Sequence, residues 1–165
     1  MTLEMVQKAK ANADKLNISN VDFRLGKIEK LPIPDNSVDV VISNCVINLS
    51  PEKSKVFQES FRVLKPGGHF CISDIVLRGE LPEKLQVAAA LYTGCVAGAM
   101  QQEHYLRAIQ DAGFVEVDIK TERQISVSDD VLAQYLSADE IKTHRESGTS
   151  ILSITVFGKK PNIRE

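Results

Sequence analysis

"VDVVISNCVINLS", Val38–Ser50, is the stretch whose reading decides the fold. Its opening "VDVVIS" is β-branched and nearly continuous in apolar character, the pattern of a central parallel strand buried on both faces. Ser50 then offers an N-cap hydroxyl, Pro51 suits a first helical position, and Glu52 complements the helix dipole. Val56, Phe57, Phe61 and Leu64 follow at helical spacing as a buried stripe, and "KPGG" (Lys65–Gly68) stops it. A strand that feeds a helix in this way puts their junction at the carboxyl edge of an open α/β sheet, where ligands bind. Cys45 sits at that junction, and the choice for it is between packing and chemistry.

Outward from this stretch, helices and strands alternate. Thr2 caps a helix expected to run to Leu16, with Leu3, Val6, Ala9, Ala13 and Leu16 on one face. "VDFRLG" (Val21–Gly26) alternates as a short strand, and "LPIPDNS" (Leu31–Ser37) is a loop built from turn-favouring residues. "HFCISDIVL" (His69–Leu77) is a further buried strand. Helical patterns cover Glu83–Met100 and Gln102–Ala112, the second closed by Gly113 at C′. "FVEVDIKTERQISV" (Phe114–Val127) holds a strand, Asp129–Arg145 a helix, and "SILSITVFGKK" (Ser150–Lys160) the last strand. The alternation implies an α/β fold, a doubly wound sheet with a hairpin-like strand pair at its end. With 165 residues, 43% of them hydrophobic, and no linker or repeat, residues 1–165 are expected to form one domain.

A formal net charge of −2 and no basic run give no reason to expect nucleic acid as a partner. No apolar stretch is long enough to cross a bilayer, no signal peptide precedes the first helix, and the expected location is cytoplasmic. Three cysteines without framework spacing read as free thiols.

Three stretches together resemble the S-adenosylmethionine-dependent methyltransferases of the Rossmann-like class: "LPIPDNSVDVVISN", "FRVLKPGGHFCISDIV" and "YLRAIQDAGFVEVDI". "NCVINLSPEK" and "TGCVAGAM" narrow the resemblance to the arsenite methyltransferases, in which cysteines at these two places hold trivalent arsenic. The resemblance covers Met1 to about Lys160 and implies a three-layer sheet that lacks its first two strands. It also implies the strand order "VDVVIS", "HFCISDIVL", "SILSITVFG", "FVEVDI", with the last two antiparallel. The glycine-rich first turn and the ribose-gripping acid of such enzymes have no counterpart here, since no G-x-G-x-x-G occurs. The chain is therefore expected to begin inside the fold.

By residue type alone Cys45 reads as packing, because free cysteine behaves as a small buried hydrophobe. The resemblance reverses that and makes Cys45 and Cys95 the arsenic-holding, catalytic pair. Trivalent arsenic is soft, and thiolates are the ligands that suit it. Two or three of them hold it pyramidally with its lone pair free for a methyl donor, a displacement that depends chiefly on alignment. For Cys95 the core reading persists, since Leu91, Tyr92 and Val96 share its helical face, while Gly94 and Gly98 loosen the helix. Cys71 is expected in the core. The resembling enzymes carry a further upstream cysteine that this chain lacks.

"GKIEKLP" corresponds to the loop over the adenine. Lys27 stands where many members carry an acid, so the resemblance assigns the S-adenosylmethionine contact to Ile28 and Glu29, with Asn44 near the methyl group. Glu29 reads equally as a solvated loop acid and Asn44 equally as a turn cap. His69, His104 and His144 lack partners at ligand spacing. The expected function is that of an arsenite methyltransferase fragment, inactive alone. An organic-acceptor methyltransferase, as in quinone biosynthesis, and a non-catalytic self-assembling fragment are the alternatives. A small-molecule substrate and a homodimer through an exposed sheet edge are the expected partners.

Overall fold

The computed structural model describes residues 2–80, 96 and 98–162. Helix α1 (Leu3–Lys15) starts where expected, its Met5 amide donating to the Thr2 hydroxyl across 3.3 Å. Strand β1 (Val38–Asn44), a 3₁₀ turn (Ile47–Leu49) and helix α2 (Lys53–Val63) follow. The helix therefore begins at Lys53, later than Pro51. The Ser50 hydroxyl instead accepts from the Glu52 amide in a local turn, because the 3₁₀ turn already uses the backbone up to Ser50. Strand β2 (Leu64–Arg78) follows α2 without a loop, so "KPGG" ends the helix from inside the next strand.

After β2 come a short strand β3 (Met100–Gln101), helix α3 (Gln102–Asp111) and strand β4 (Val115–Ile125). Gly113, at φ +101°, closes α3 as expected. The helix expected over Glu83–Met100 lies outside the described residues except at its end, where Met100 is strand. The helix expected over Asp129–Arg145 is two, α4 (Asp129–Leu132) and α5 (Ala138–Glu146). Ser137 divides them through a capping box: its hydroxyl accepts from the Glu140 amide while the Glu140 carboxylate accepts from the Ser137 amide. Strand β5 (Ser150–Lys159) ends the fold.

The strand order is β1-β2-β5-β4, as the resemblance implied, with β3 beside β2. Among the described residues, parallel pairing is confined to β1–β2 and β2–β3; the ladders of β5 with β2 and β4 are antiparallel. Phe70, Ile72 and Val76 of β2 meet Ile154 and Val156 of β5, with Phe57 of α2 and Tyr105 and Ile109 of α3 laid over them. The opposite face is covered at the carboxyl end of β2, where Leu132 and Leu136 pack on Ile75 and Ile151. Helical segments thus lie on both faces, unequally.

Residue patterns alone mislead at two places for one reason. "VDFRLG" forms no strand, and β1, whose composition suits burial on both faces, is an edge strand with Ile42 79% exposed, the exposed sheet edge that the resemblance implied. Composition reports what a strand tolerates, whereas burial needs a neighbour, and no described segment flanks β1 on its outer side. Cys71 shares that open face with Ile42, its partner in register, and is only half-buried.

Candidate functional site

The carboxyl end of β1 turns sharply at Cys45. This residue has φ +54° and donates its amide to the Ser73 carbonyl across 2.9 Å. A left-handed conformation at a non-glycine residue costs roughly 1–3 kcal/mol and persists where surrounding contacts enforce it, commonly at functional sites. The half-buried Cys45 side chain packs against the cluster that Ile75, Val96, Leu132, Leu136 and Ile151 form, at the end of the sheet that α4 and α5 cover.

The 3₁₀ turn after Cys45 is pinned from beneath. Buried Asn48 donates from Nδ2 to the Ile75 carbonyl across 2.6 Å, while its Oδ1 has no hydrogen-bond partner among the described residues. Below it, Asp74 of β2 is almost wholly buried and accepts from the Tyr105 hydroxyl at 3.2 Å. Burial pushes the Asp74 carboxyl above the ordinary carboxylate range, partly offset by hydrogen bonds from the Ile75 amide and Tyr105. Burial also raises the Tyr105 hydroxyl and lowers the Lys53 ammonium, which donates to the Ser50 carbonyl.

On the other side of β1, a cavity of about 330 Å³ is lined by Ile28, Leu31, Val41–Asn44, Val46 and Ile47 among others. A second, of about 550 Å³, shares Ile28 and Val46 and adds Glu29, Leu49 and Ser50. Glu29 accepts from the Ser50 hydroxyl, and this bond holds its carboxyl below the usual range. Arg62 fastens the loop that walls both cavities: its guanidinium reaches Glu59, Asp35 and the carbonyls of Leu31 and Ile33.

The structure therefore brings Ile28 and Asn44 to one cavity and Ile28 and Glu29 to the next, with Cys45 at the turn between β1 and α2. Cys95 lies outside the described residues, but Val96, its covalent neighbour, is buried in the cluster against which Cys45 packs. No group of three His, Cys, Asp or Glu side chains able to hold a metal occurs among the described residues. His104 is exposed and the His69 ring lies beside Phe157.

Residues 1–113 match the family model described as a methyltransferase domain. The chain belongs to the methyltransferase-domain family. It is 41% identical over 161 residues to the arsenite methyltransferase of Halobacterium salinarum, covering 98% of this chain and 39% of that protein. The human arsenite methyltransferase is 39% identical over 121 residues, covering 72% of this chain and 32% of that one. The crystal structure of an arsenic(III) S-adenosylmethionine methyltransferase from Chlamydomonas reinhardtii superimposes with a TM-score of 0.76 at 29% identity. That match covers all of this chain and 55% of the other. The chain thus spans well under half the length of the curated relatives it matches.

Within this methyltransferase domain, residue patterns left Asn48, Asp74, Tyr105 and Arg62 unremarked. Asp74 had a signal, an acid inside the apolar strand "CISDIV". Asn48 had none, since its partner carbonyl is distant in sequence; Arg62 had only the local pairing with Glu59 three residues before it, while its other partners lie at Leu31, Ile33 and Asp35.

Proposed function

We propose that this chain carries the arsenic-binding end of an arsenite methyltransferase, with Cys45 and Cys95 as the thiolate pair that holds As(III). The observation that carries the reading is the left-handed Cys45 at the strand end, with the turn that follows Cys95 packed in the same cluster. Relatives named for arsenite methylation that align over nearly the whole chain support it. An organic acceptor has no need of paired thiolates.

S-Adenosylmethionine, when bound, supplies the methyl group. Ile28, Val46 and Leu49 offer apolar walls suited to an adenine, with Glu29 at the rim and Asn44 in the adjoining cavity. Those residues fit one end of the cofactor. The sequence contains no glycine-rich turn for the other end, and we therefore read the chain as inactive alone in methyl transfer. The open edge of β1 supports a homodimer, two copies pairing along that strand. Its setting is a cytoplasmic one.

Titration with phenylarsine oxide tests the arsenic site. The reading expects one equivalent bound and a loss of at least tenfold in affinity on Cys45→Ser or Cys95→Ser, because a hydroxyl is a harder and far less acidic ligand. Equal affinity in the double-serine variant would sink it.

A further inference from the structure

One residue carries the whole change of direction between β1 and the turn that follows it. The ladder of β1 with β2 runs as far as Asn44, opposite Ser73, and the Cys45 amide still donates to the Ser73 carbonyl at 2.9 Å. The hydrogen bonds of the 3₁₀ turn begin one residue later. The Leu49 amide donates to the Val46 carbonyl at 3.1 Å and the Ser50 amide to the Ile47 carbonyl at 3.0 Å. Cys45 alone joins the two patterns, and it does so at φ +54°. A residue with a Cβ leaves that region unless its surroundings hold it there.

The hold is visible at Asn48, which is 3% exposed. Its Nδ2 donates to the Ile75 carbonyl at 2.6 Å, on the same strand as the Ser73 carbonyl that takes the Cys45 amide. The segment Cys45–Asn48 is thus fastened to β2 at both ends, and its dihedral angles are fixed together. As core filler the amide is a poor choice. Its Oδ1 has no partner among the described residues, and an apolar side chain of that size would leave no buried polar atom unpaired. What the amide adds is the reach to the β2 carbonyl.

We infer that Asn48 is the positioning residue of Cys45: its tie to β2 keeps Cys45 left-handed and so aims the thiol. The inference rests on the reading of Cys45 as an arsenic ligand given above. Asn48 itself touches no substrate. The left-handed backbone directs the Cys45 side chain to the cluster that includes Ile75, Leu132 and Leu136, where it is half-buried. With the tie cut, Cys45 relaxes to negative φ and the thiol swings out of that place. A ligand group already held in its bound direction loses less freedom on binding than one that must first be ordered.

The test follows the full chain by nuclear magnetic resonance, where a left-handed residue shows a strong cross-peak between its own amide and α protons. Cys45 should show it, and Asn48→Ala should weaken it. In that variant monobromobimane should label Cys45 roughly threefold faster or more, read on its peptide by mass spectrometry. Phenylarsine oxide should bind about fivefold more weakly or worse, with amide protection along β2 and β5 unchanged. As a control, Val56→Ala thins the core and should lower the melting temperature without touching the Cys45 cross-peak or labelling rate. A change there as large as in Asn48→Ala would reduce the effect to stability and overturn the assignment. Should Asn48→Ala not fold, Asn48→Leu, which fills the volume without the donor, decides in the same way. No strong cross-peak in the starting protein, or an unchanged one in the folded variant, overturns the inference. So does undiminished phenylarsine oxide binding where the cross-peak is lost. If neither protein binds phenylarsine oxide while cross-peak and labelling respond, the positioning stands and the arsenic reading falls alone.

Discussion

The Tyr105 hydroxyl meets the Asp74 carboxylate across 3.2 Å, with both side chains all but excluded from solvent. Desolvation dominates there, and it raises the Asp74 pKa above its ordinary value. A folded-state pKa above the unfolded one means that stability is fully present below the unfolded pKa and lost as pH rises through the folded one. Asp74→Asn removes that dependence while leaving Tyr105 a polar partner. Its advantage in unfolding midpoint over the wild type should therefore be clear at pH 7 and vanish near pH 3. Asp74→Ala should instead destabilise by about 1–3 kcal/mol, since it strands the buried hydroxyl. Urea unfolding across that pH range checks both, and a pH-independent difference between wild type and Asn variant would count against the assignment.

Arg62 serves four partners from one guanidinium, two carboxylates and two carbonyls. A lysine retains the charge and loses the planar fork. Arg62→Lys should therefore loosen the wall of the two cavities while leaving the sheet in place. Amide exchange makes the distinction: the Leu31 amide, which donates to Glu59 at 2.8 Å, should exchange faster, and the β2–β5 ladder should not. Unchanged protection at Leu31 would mean that the loop holds itself.

The caps of α1 and α3 were legible because each depends on neighbours close in sequence, Thr2 with Met5 and Gly113 with the end of its own helix, whereas the strand order joins segments far apart and was legible only through the family resemblance. The break at Ser137 was equally local. "SADE" is a capping-box pattern, and the longer apolar periodicity hid it. What composition could not carry was partnership. "VDVVIS" describes a strand fit for burial, yet Ile42 is exposed because the sheet ends there. In the site, Cys45 was marked by its place after a strand, but its positive φ comes from tertiary packing that no local pattern encodes.

The cofactor prediction follows from what lines the cavities. Ile28, Val46 and Leu49 supply apolar contact, and Glu29 is already engaged with Ser50. Backbone amides that cradle the charged end of such a ligand come from a glycine-rich turn, and the sequence has none. Calorimetry should accordingly detect little or no heat from S-adenosylmethionine. Tight stoichiometric binding would show that other groups replace the turn and would reopen the question of activity.

The open edge of β1 sets the last prediction. Val40 and Ile42 are 45% and 79% exposed on a strand whose outer backbone groups face no described segment. An unpaired apolar edge of this kind is a template for pairing with another chain, and protective devices such as a lysine or proline in its centre are missing from Val40–Ser43. Two copies related by a two-fold axis can pair antiparallel along it, each burying the other's Ile42, and such closure consumes the edge and prevents open-ended growth. Light scattering on a size-exclusion column should give a mass near twice 18.2 kDa at micromolar concentration. Ile42→Lys should return it to a monomer without unfolding, because the lysine points to water in the isolated chain and opposes its own copy in the pair. A wild-type monomer that stays soluble at that concentration would rule the pairing out, and a variant that remains dimeric would move the interface away from β1.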